Sequence, residues 1–143
     1  MENQKKNNNS QKQSILFLCN NNSCRSQMAE ALLNHIYSDR YNAFSAGVEP
    51  TSINHYAIEF MKEIGIDMTN HYSKSIEKFK EKNFDCVVTV CNKAKENCPF
   101  SPGEKIVHKS FEDPATVEGD VEHILKVFRK TRDKIKQWII DFF

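Results

Sequence analysis

The chain has 143 residues, a hydrophobic content of 39% and a formal net charge of +1 from 20 basic and 19 acidic residues. That length allows one sizeable core and gives no reason to expect a second folded domain. A charge near zero argues against nucleic acid or an anionic membrane as the main partner, so we expect a small substrate. No apolar stretch approaches the roughly 18 residues of a membrane span, and the N-terminus lacks the apolar core of a signal peptide. We therefore expect a soluble, cytoplasmic monomer.

The five cysteines are too few for a disulfide scaffold, and their odd number favours reduced thiols in a reducing compartment. Any disulfide is therefore expected to be catalytic or regulatory. Residues 1–13 have no apolar side chain after Met1, which predicts a disordered polar tail. Residues 14–143 are expected to form a single catalytic domain.

The first folded segment is predicted to be a strand that runs into a helix. Residues 15–18 are an unbroken apolar run, typical of a strand buried on both faces. From Met28 to Ile36 the apolar residues recur at helical spacing. Between these elements lies a tight loop that begins with Cys19 and ends with Arg25.

The middle of the chain is predicted to alternate between strand and helix. Residues 41–46 favour a second strand, closed by Gly47. A helix is expected from about Asn54, with Gly65 ending it in the left-handed conformation. Residues 71–82, rich in Lys and Glu, are predicted to form a short surface helix.

The last third of the chain repeats this alternation. Residues 84–91 are β-branched and apolar, which predicts a central parallel strand ending at Cys91. Residues 92–97 are polar and compatible with a helix that ends before the Cys98-Pro99 pair. A fourth strand is expected at about 105–108, and a long amphipathic helix from Glu118 to the end.

Strands alternating with helices predict an α/β fold: a single-domain, three-layer α/β/α sandwich around a four-stranded parallel sheet. Ligands of such sheets bind beyond the C-terminal ends of the strands. Cys19, Cys91 and the loop that contains Asp113 all follow predicted strand ends, so we expect them at the same edge of the sheet.

The loop after the first strand has the features of an oxyanion site. Backbone N–H groups at a helix N-terminus attract negative charge, and Arg25 can donate two hydrogen bonds to two oxygens. The same field favours the thiolate form of Cys19, a nucleophile. The residues expected to bind the oxyanion, mainly through the backbone, are Asn20, Asn21, Asn22, Ser23, Cys24 and Arg25.

Two motifs relate the chain to a known family. The loop is a Cys-x5-Arg-Ser sequence, and a Phe-Glu-Asp-Pro-Ala run places Asp113 near the C-terminus. Together they resemble the low-molecular-weight protein tyrosine phosphatase fold. Cys91 and Cys98, in the run VVTVCNKAKENCP, narrow the match. With them, residues 14–143 are similar to the thioredoxin-coupled arsenate reductases, which add two redox cysteines to that fold.

The resemblance implies a mechanism. Cys19 attacks arsenate, Arg25 binds it, Asp113 protonates the departing oxygen and Ser26 hydrogen-bonds the thiolate. Cys91 then attacks Cys19 and arsenite leaves. Cys98 next attacks Cys91, which leaves a Cys91–Cys98 disulfide for thioredoxin to reduce. No cofactor is expected.

The chain departs from the family pattern at two places. Asn21 stands where the family usually has glycine, and asparagine tolerates the left-handed backbone better than most residues. Potassium-binding members use four side chains, of which Asn22, Glu30 and Ser45 are present, whereas the fourth position is Lys74. Its ammonium can replace the cation, so we predict no required metal.

Two other functions would use some of the same residues. A phosphotyrosine phosphatase would use the same Cys19, Arg25 and Asp113, but it has no need for Cys91 or Cys98. Such phosphatases commonly carry aromatic residues beside the acid loop, where this chain has Ala115.

A zinc-binding module is the other alternative, with Cys19, Cys24, Cys91 and Cys98 as ligands. Their spacings are poor for structural zinc, and the positive charge of Arg25 opposes a cation. Cys86, in mid-strand, and Cys24, within the loop, are more simply explained by packing, and the histidines show no metal-ligand spacing.

Overall fold

The computed structural model of the protein describes residues 11–97 and 103–143. The described chain contains four strands, β1 (Gln13–Cys19), β2 (Tyr41–Gly47), β3 (Phe84–Thr89) and β4 (Gly103–His108). Its α-helices are α1 (Arg25–Ile36), α2 (His55–Glu63), α3 (Asn92–Asn97) and α4 (Val121–Phe142). Short 3-10 helices lie at Ile76–Phe79 and Pro114–Thr116. The predicted α/β architecture is confirmed.

The four strands form one parallel sheet in the order β2-β1-β3-β4. Five consecutive residues of β1, from Ile15 to Cys19, are at most 3% exposed. Because successive side chains of a strand point to opposite faces, this burial requires cover on both faces of the sheet. The sheet is therefore the middle layer, and β1 lies at its centre.

The helix ends follow from local sequence signals. Asn54 caps α2 by accepting a hydrogen bond from Tyr56 N at 2.9 Å, and Gly65 follows the helix with a φ of +82°. The predicted left-handed stop at Gly65 is confirmed. α4 begins at Val121 rather than Glu118, because Gly119 has a φ of +136° and Asp120 caps the helix through His123 N.

The predicted surface helix over residues 71–82 is wrong for most of its length. Only Ile76–Phe79 is helical, as a single 3-10 turn. The preceding residues are extended and bonded to other parts of the chain: Lys74 O accepts from Gly47 N at 2.8 Å, and Ser75 bridges to Gly47. These tertiary bonds outweigh a weak helical preference.

Other boundaries shift by a few residues. β3 ends at Thr89, although Val90 N still donates to Leu18 O at 2.8 Å, and β4 starts at Gly103. Of the predicted tail, Gln13 belongs to β1, and residues 1–10 lie outside the described residues, as does Cys98.

Candidate active site

Cys19 ends β1 and Arg25 begins α1, so residues 20–24 form the predicted loop between a strand and a helix. Gly47, the last residue of β2, lies directly behind this loop. A Cβ atom at position 47 would lie 2.8 Å from Asn20 O and 2.9 Å from Asn22 N, closer than real Cβ contacts allow. Only glycine therefore lets β2 approach the loop this closely.

The loop directs its carbonyl groups away from its own centre. Asn20 O accepts from Glu49 N at 2.8 Å, Asn21 O from Thr51 N at 3.2 Å, and Ser23 O from Asn54 N at 3.0 Å. Within residues 11–97 and 103–143, no backbone acceptor takes a hydrogen bond from the N–H groups of residues 20–24. A tight turn with paired carbonyls and free N–H groups is an anion-binding arrangement.

Asn22 fixes the shape of the loop. It is fully buried and has a φ of +50°, and among the described residues it is the one non-glycine with positive φ. The left-handed position is thus Asn22 and not Asn21, so a glycine at 21 is unnecessary here. Gln27 Nε2 donates to Asn22 Oδ1 at 2.9 Å, and Lys74 N donates to the same oxygen at 2.8 Å. Ser73 Oγ donates to Asn22 O at 2.7 Å.

Ser26 links Asn22 to the nucleophile. Asn22 Nδ2 donates to Ser26 Oγ at 2.8 Å, and Ser26 Oγ lies 2.9 Å from Cys19 Sγ. Because the hydroxyl oxygen is already an acceptor for Asn22, its hydrogen is available to the sulfur. A donated O–H stabilises a thiolate at Cys19, which is the role predicted for Ser26.

Arg25 connects the anion loop to the loop that carries the predicted acid. Its Nη1 donates to Phe111 O at 3.0 Å, and its Nη2 lies 3.3 Å from Asp113 Oδ2. Asp113 Oδ1 accepts from Ala115 N at 3.0 Å, which orients the carboxylate at the start of the 3-10 turn. The guanidinium and the carboxylate therefore face the same small space.

That space is a pocket of about 80 Å³. It is lined by Cys19, Asn21, Ser23, Cys24, Arg25, Thr51, Asp113 and Ala115. Of the residues expected to bind an oxyanion, Asn20 and Asn22 lie outside the lining and support the loop from behind. Burial raises the pKa of the Cys24 thiol, and the Asp113 carboxylate raises it further, so Cys24 stays protonated beside Cys19.

Cys91 follows β3 at the same sheet edge as the loop, since Leu18 pairs with Thr89 in the parallel register. It is 5% exposed, and Ala94 N at the start of α3 donates to its Sγ at 3.4 Å. Cys86, near the other end of β3, is also buried, and burial raises its thiol pKa. The predicted partner of Cys91, Cys98, lies outside the described residues.

The group of residues associated with potassium in the family contains a lysine here. Lys74 Nζ lies 3.7 Å from Glu30 Oε1, which also accepts from Ser45 Oγ at 2.5 Å. Burial lowers the pKa of Lys74, and the Glu30 carboxylate opposes that change. An ammonium at this position repels a second cation, so the residues present do not fit potassium.

Sequence reasoning missed several residues that hold this site. Gln27 is fully buried, and besides Asn22 it binds Tyr72 O at 2.9 Å and the His71 ring at 3.0 Å. A polar residue directly before the apolar stripe that starts at Met28 was the available signal. No local pattern marks Gly47 as a packing position or Phe111 as the acceptor for Arg25.

A buried thiol next to a serine hydroxyl and an arginine around a small pocket with free N–H groups, at a β–α junction of a parallel sheet, define a cysteine-dependent oxyanion-processing protein. The family profile of low molecular weight phosphotyrosine protein phosphatase matches residues 14–143. The chain belongs to this family.

Within that family the similar proteins include arsenate reductases. One from Oceanobacillus iheyensis is 45% identical over 125 residues, which cover 87% of this chain and 90% of the relative. Another from Staphylococcus aureus (strain Newman) is 44% identical over 132 residues, covering 92% of this chain and 96% of the relative. A solved structure of an arsenate reductase in the phosphate-binding state has a TM-score of 0.74 and 29% identity, covering 90% of this chain and 95% of that one.

None of the helices in the described part of the chain has the length and apolar content that crossing a bilayer requires. Within the same residues, no group of three or more His, Cys, Asp or Glu side chains is arranged to hold a metal ion.

Proposed function

We propose that the protein reduces arsenate to arsenite with Cys19 as the nucleophile and is regenerated by thioredoxin in the cytoplasm. The observation that carries this proposal is that two buried thiols follow neighbouring strands at the same edge of the sheet: Cys19, which lines an oxyanion-sized pocket, and Cys91. The similarity to named arsenate reductases supports the same reaction.

Binding is the first step. Arsenate is a tetrahedral oxyanion, and the N–H groups of the loop together with Arg25 provide donors on several sides of the pocket. In the structure Arg25 is paired with Asp113 at 3.3 Å. An arsenate oxygen competes with that carboxylate for the guanidinium, which releases Asp113 to take up a proton and act as the acid.

Chemistry then begins at Cys19. Its sulfur, stabilised by the Ser26 hydroxyl at 2.9 Å, attacks arsenic while Asp113 protonates the departing oxygen, which leaves as water. The product is a covalent adduct in which the Cys19 sulfur is bonded to arsenic. The loop N–H groups and Arg25 balance the charge on the remaining oxygens.

Reduction requires the second thiol. Cys91 attacks the Cys19 sulfur, a Cys19–Cys91 disulfide forms, and arsenic leaves as arsenite with the electron pair of the broken sulfur–arsenic bond. Two thiols thus lose two electrons and arsenic gains them. Cys98 then attacks Cys91, Cys19 leaves as a thiolate, and thioredoxin reduces the Cys91–Cys98 disulfide.

A phosphotyrosine phosphatase is the second candidate, because the family profile favours it. The first half of the chemistry is the same, with Cys19 attacking phosphorus. Among the described residues that line the pocket, which include Thr51 and Ala115, none is aromatic, so this lining offers an aryl ring no aromatic side chain to stack on. We expect weak activity on aryl phosphates.

The test is arsenate-dependent oxidation of NADPH with thioredoxin and thioredoxin reductase. We expect turnover by the parent and by the control Cys86→Ala, which removes a buried thiol of β3, the strand that precedes Cys91. We expect no turnover by Cys91→Ala. Turnover of Cys91→Ala at the parental rate would contradict the reductase mechanism. Phosphatase activity without arsenate reduction by the parent would favour the second candidate.

A further inference from the structure

His108, the last residue of β4, joins the sheet to the helix that follows Cys91. It is the register partner of Thr89 in β3, and its Nδ1 lies 2.7 Å from Thr89 Oγ1. Its Nε2 lies 3.0 Å from the Asn92 side-chain oxygen. Asn92 is the first residue of α3 and directly follows Cys91.

The chemistry of the two partners defines the role of each ring nitrogen. The Asn92 oxygen can only accept, so His108 Nε2 is the donor to it. In the neutral ring Nδ1 then accepts, and the Thr89 hydroxyl donates to it. Thr89 is 4% exposed, so this anchor lies inside the protein while the Asn92 end faces solvent.

α3 has few other contacts that hold it. It has six residues, and of those whose side chains are described only Ala94 is buried, whereas Asn92, Lys93, Lys95 and Glu96 are exposed. A helix this short is unstable without outside support. Among the described residues, the His108–Asn92 bond is the one side-chain hydrogen bond between α3 and β4.

The helical conformation of α3 also constrains the position of Cys91. Ala94 N donates to Cys91 Sγ at 3.4 Å, and Lys95 N donates to Cys91 O at 3.3 Å. In an unbroken α-helix, two residues seven positions apart in sequence, as Cys91 and Cys98 are, have Cα atoms separated by roughly 10.5 Å at about 1.5 Å per residue. A disulfide needs about 4.4 to 6.8 Å, so forming it requires the helix to unwind.

We propose that His108 is a positioning residue for Cys91: it holds α3 in the helical, dithiol form, and its bond to Asn92 breaks when Cys91 pairs with Cys98. This rests on the Cys91–Cys98 disulfide of the proposed function. The step is a thiol–disulfide exchange in which the Cys98 thiolate bonds to Cys91 sulfur and Cys19 leaves as a thiolate. Because the bond exists only in the dithiol form, His108 makes the disulfide easier to reduce.

The experiment measures the dithiol–disulfide equilibrium of Cys91 and Cys98 in glutathione buffers, with alkylation and mass spectrometry, in a Cys19→Ser background. His108→Phe keeps a ring but removes both bonds. One hydrogen bond corresponds to about a two- to tenfold change in the equilibrium, and tenfold equals about 30 mV. We expect His108→Phe to shift the equilibrium toward the disulfide by that factor.

Two further variants separate positioning from general damage. Asn92→Ala removes the same bond from an exposed position and should give the same shift, and combining it with His108→Phe should add little. His108→Gln retains a donor for Asn92 and should restore most of the parental equilibrium. If His108→Phe does not fold, Asn92→Ala alone decides the question.

Different results would contradict the role of His108 and the proposed arsenate reductase function. A parental disulfide with unchanged equilibria in both variants would overturn the role of His108 and leave the proposed function intact. A parent that forms no Cys91–Cys98 disulfide under oxidising conditions would overturn both.

Discussion

Arg25 has two tasks at the pocket, because one of its terminal nitrogens binds Phe111 O and the other faces Asp113. A lysine keeps the charge but cannot bind two oxygens in a fixed plane, nor hold the acid loop at the same time. We expect Arg25→Lys to lower kcat/KM for arsenate by about 100-fold or more. Steady-state assays with thioredoxin measure this.

The matched control is Arg40→Lys, an exposed arginine that lies over the Tyr37 ring at 4.2 Å, away from the pocket. It should retain parental activity. An Arg25→Lys variant within threefold of the parent would contradict the bidentate role.

Lys74 supplies a positive charge next to Glu30, at the position where the family resemblance implied a potassium ligand. We expect the parental kcat/KM to be the same, within twofold, in potassium chloride and in choline chloride of equal ionic strength. Lys74→Met leaves the Glu30 carboxylate without its cation, so we expect activity to fall in choline and to recover partly in potassium.

The control for this pair of measurements is Lys78→Met, which removes a neighbouring lysine that contacts Tyr72 and not Glu30. A parent that loses activity when potassium is withdrawn would show that the ammonium does not replace the ion.

At the level of single residues, the sequence predicted the groups whose chemistry is specific, such as Cys19, Arg25 and Asp113. Loop residues that act through position were harder to find. Ser73 binds Asn22 across 51 residues of sequence, and no local pattern encodes such a contact. Gln27 lies only 5 residues from Asn22, and its position before the apolar stripe was its one sequence signal. The left-handed residue was expected at 21 because of a family glycine, whereas the hydrogen bonds fix it at Asn22.

At the scale of the elements, the proposed conformational change concerns α3, the helix that follows Cys91. Of the α3 side chains that the structure describes, only Ala94 is buried, so few of their contacts resist unwinding. We expect faster amide exchange over residues 91–98 in the oxidised protein than in the reduced one, with residues 19–25 less affected. Equal protection in both states, with the Cys91–Cys98 bond confirmed by mass spectrometry, would contradict this.

α2 and α4 are joined by an ion-pair cluster around Glu63. Hydrogen bonds from Arg129 at 2.7 Å and Arg132 at 2.8 Å lower the pKa of Glu63 from 4.5 to about 2. The stabilisation is therefore complete above about pH 4.5 and is lost as the pH falls toward 2, where the folded protein also takes up the proton.

The corresponding substitution is Glu63→Gln. Its free energy of unfolding should be lower than that of the parent at pH 6, and the difference should shrink between pH 4.5 and 2. Urea titrations at several pH values measure it, and Glu59→Gln, exposed on the same helix, should show no such trend. Since the Glu63 side chain is 37% exposed, solvent screening keeps the effect modest.

The element boundaries show which sequence signals are strong. Apolar runs and caps located the strands and α2 well, because burial and capping act within a few residues. The segment at 71–82 was misassigned because its backbone groups bind Gly47 and Asn22, which lie far away in sequence. A Lys- and Glu-rich composition indicates exposure but cannot exclude an extended path along the loop.

At the scale of the molecule, the described residues form one sheet and one hydrophobic core, and β1 and β3 are the two interior strands. We expect unfolding in a single transition, with the same midpoint by far-UV circular dichroism and by fluorescence of Trp138, the one tryptophan, which lies on α4. Leu18→Ala removes a fully buried side chain of β1 and should lower the free energy of unfolding by about 2–5 kcal/mol.

In Leu18→Ala the unfolding midpoints measured by circular dichroism and by Trp138 fluorescence should shift by the same amount. Separate transitions for the sheet and for α4 would contradict the single domain expected for residues 14–143.

The contact between Gly47 and the back of the anion loop restricts how this scaffold can evolve. A side chain at 47 would push on Asn20 and Asn22, so a new residue there and a new loop shape would have to arise together. Thr51 and Ala115 line the pocket, and they bind Asn21 O and Asp113 Oδ1 through their backbone N–H groups, so these hydrogen bonds do not depend on their side chains. Substitutions at Thr51 or Ala115 can therefore change the size of the substrate that the pocket accepts while the anion-binding loop stays unchanged.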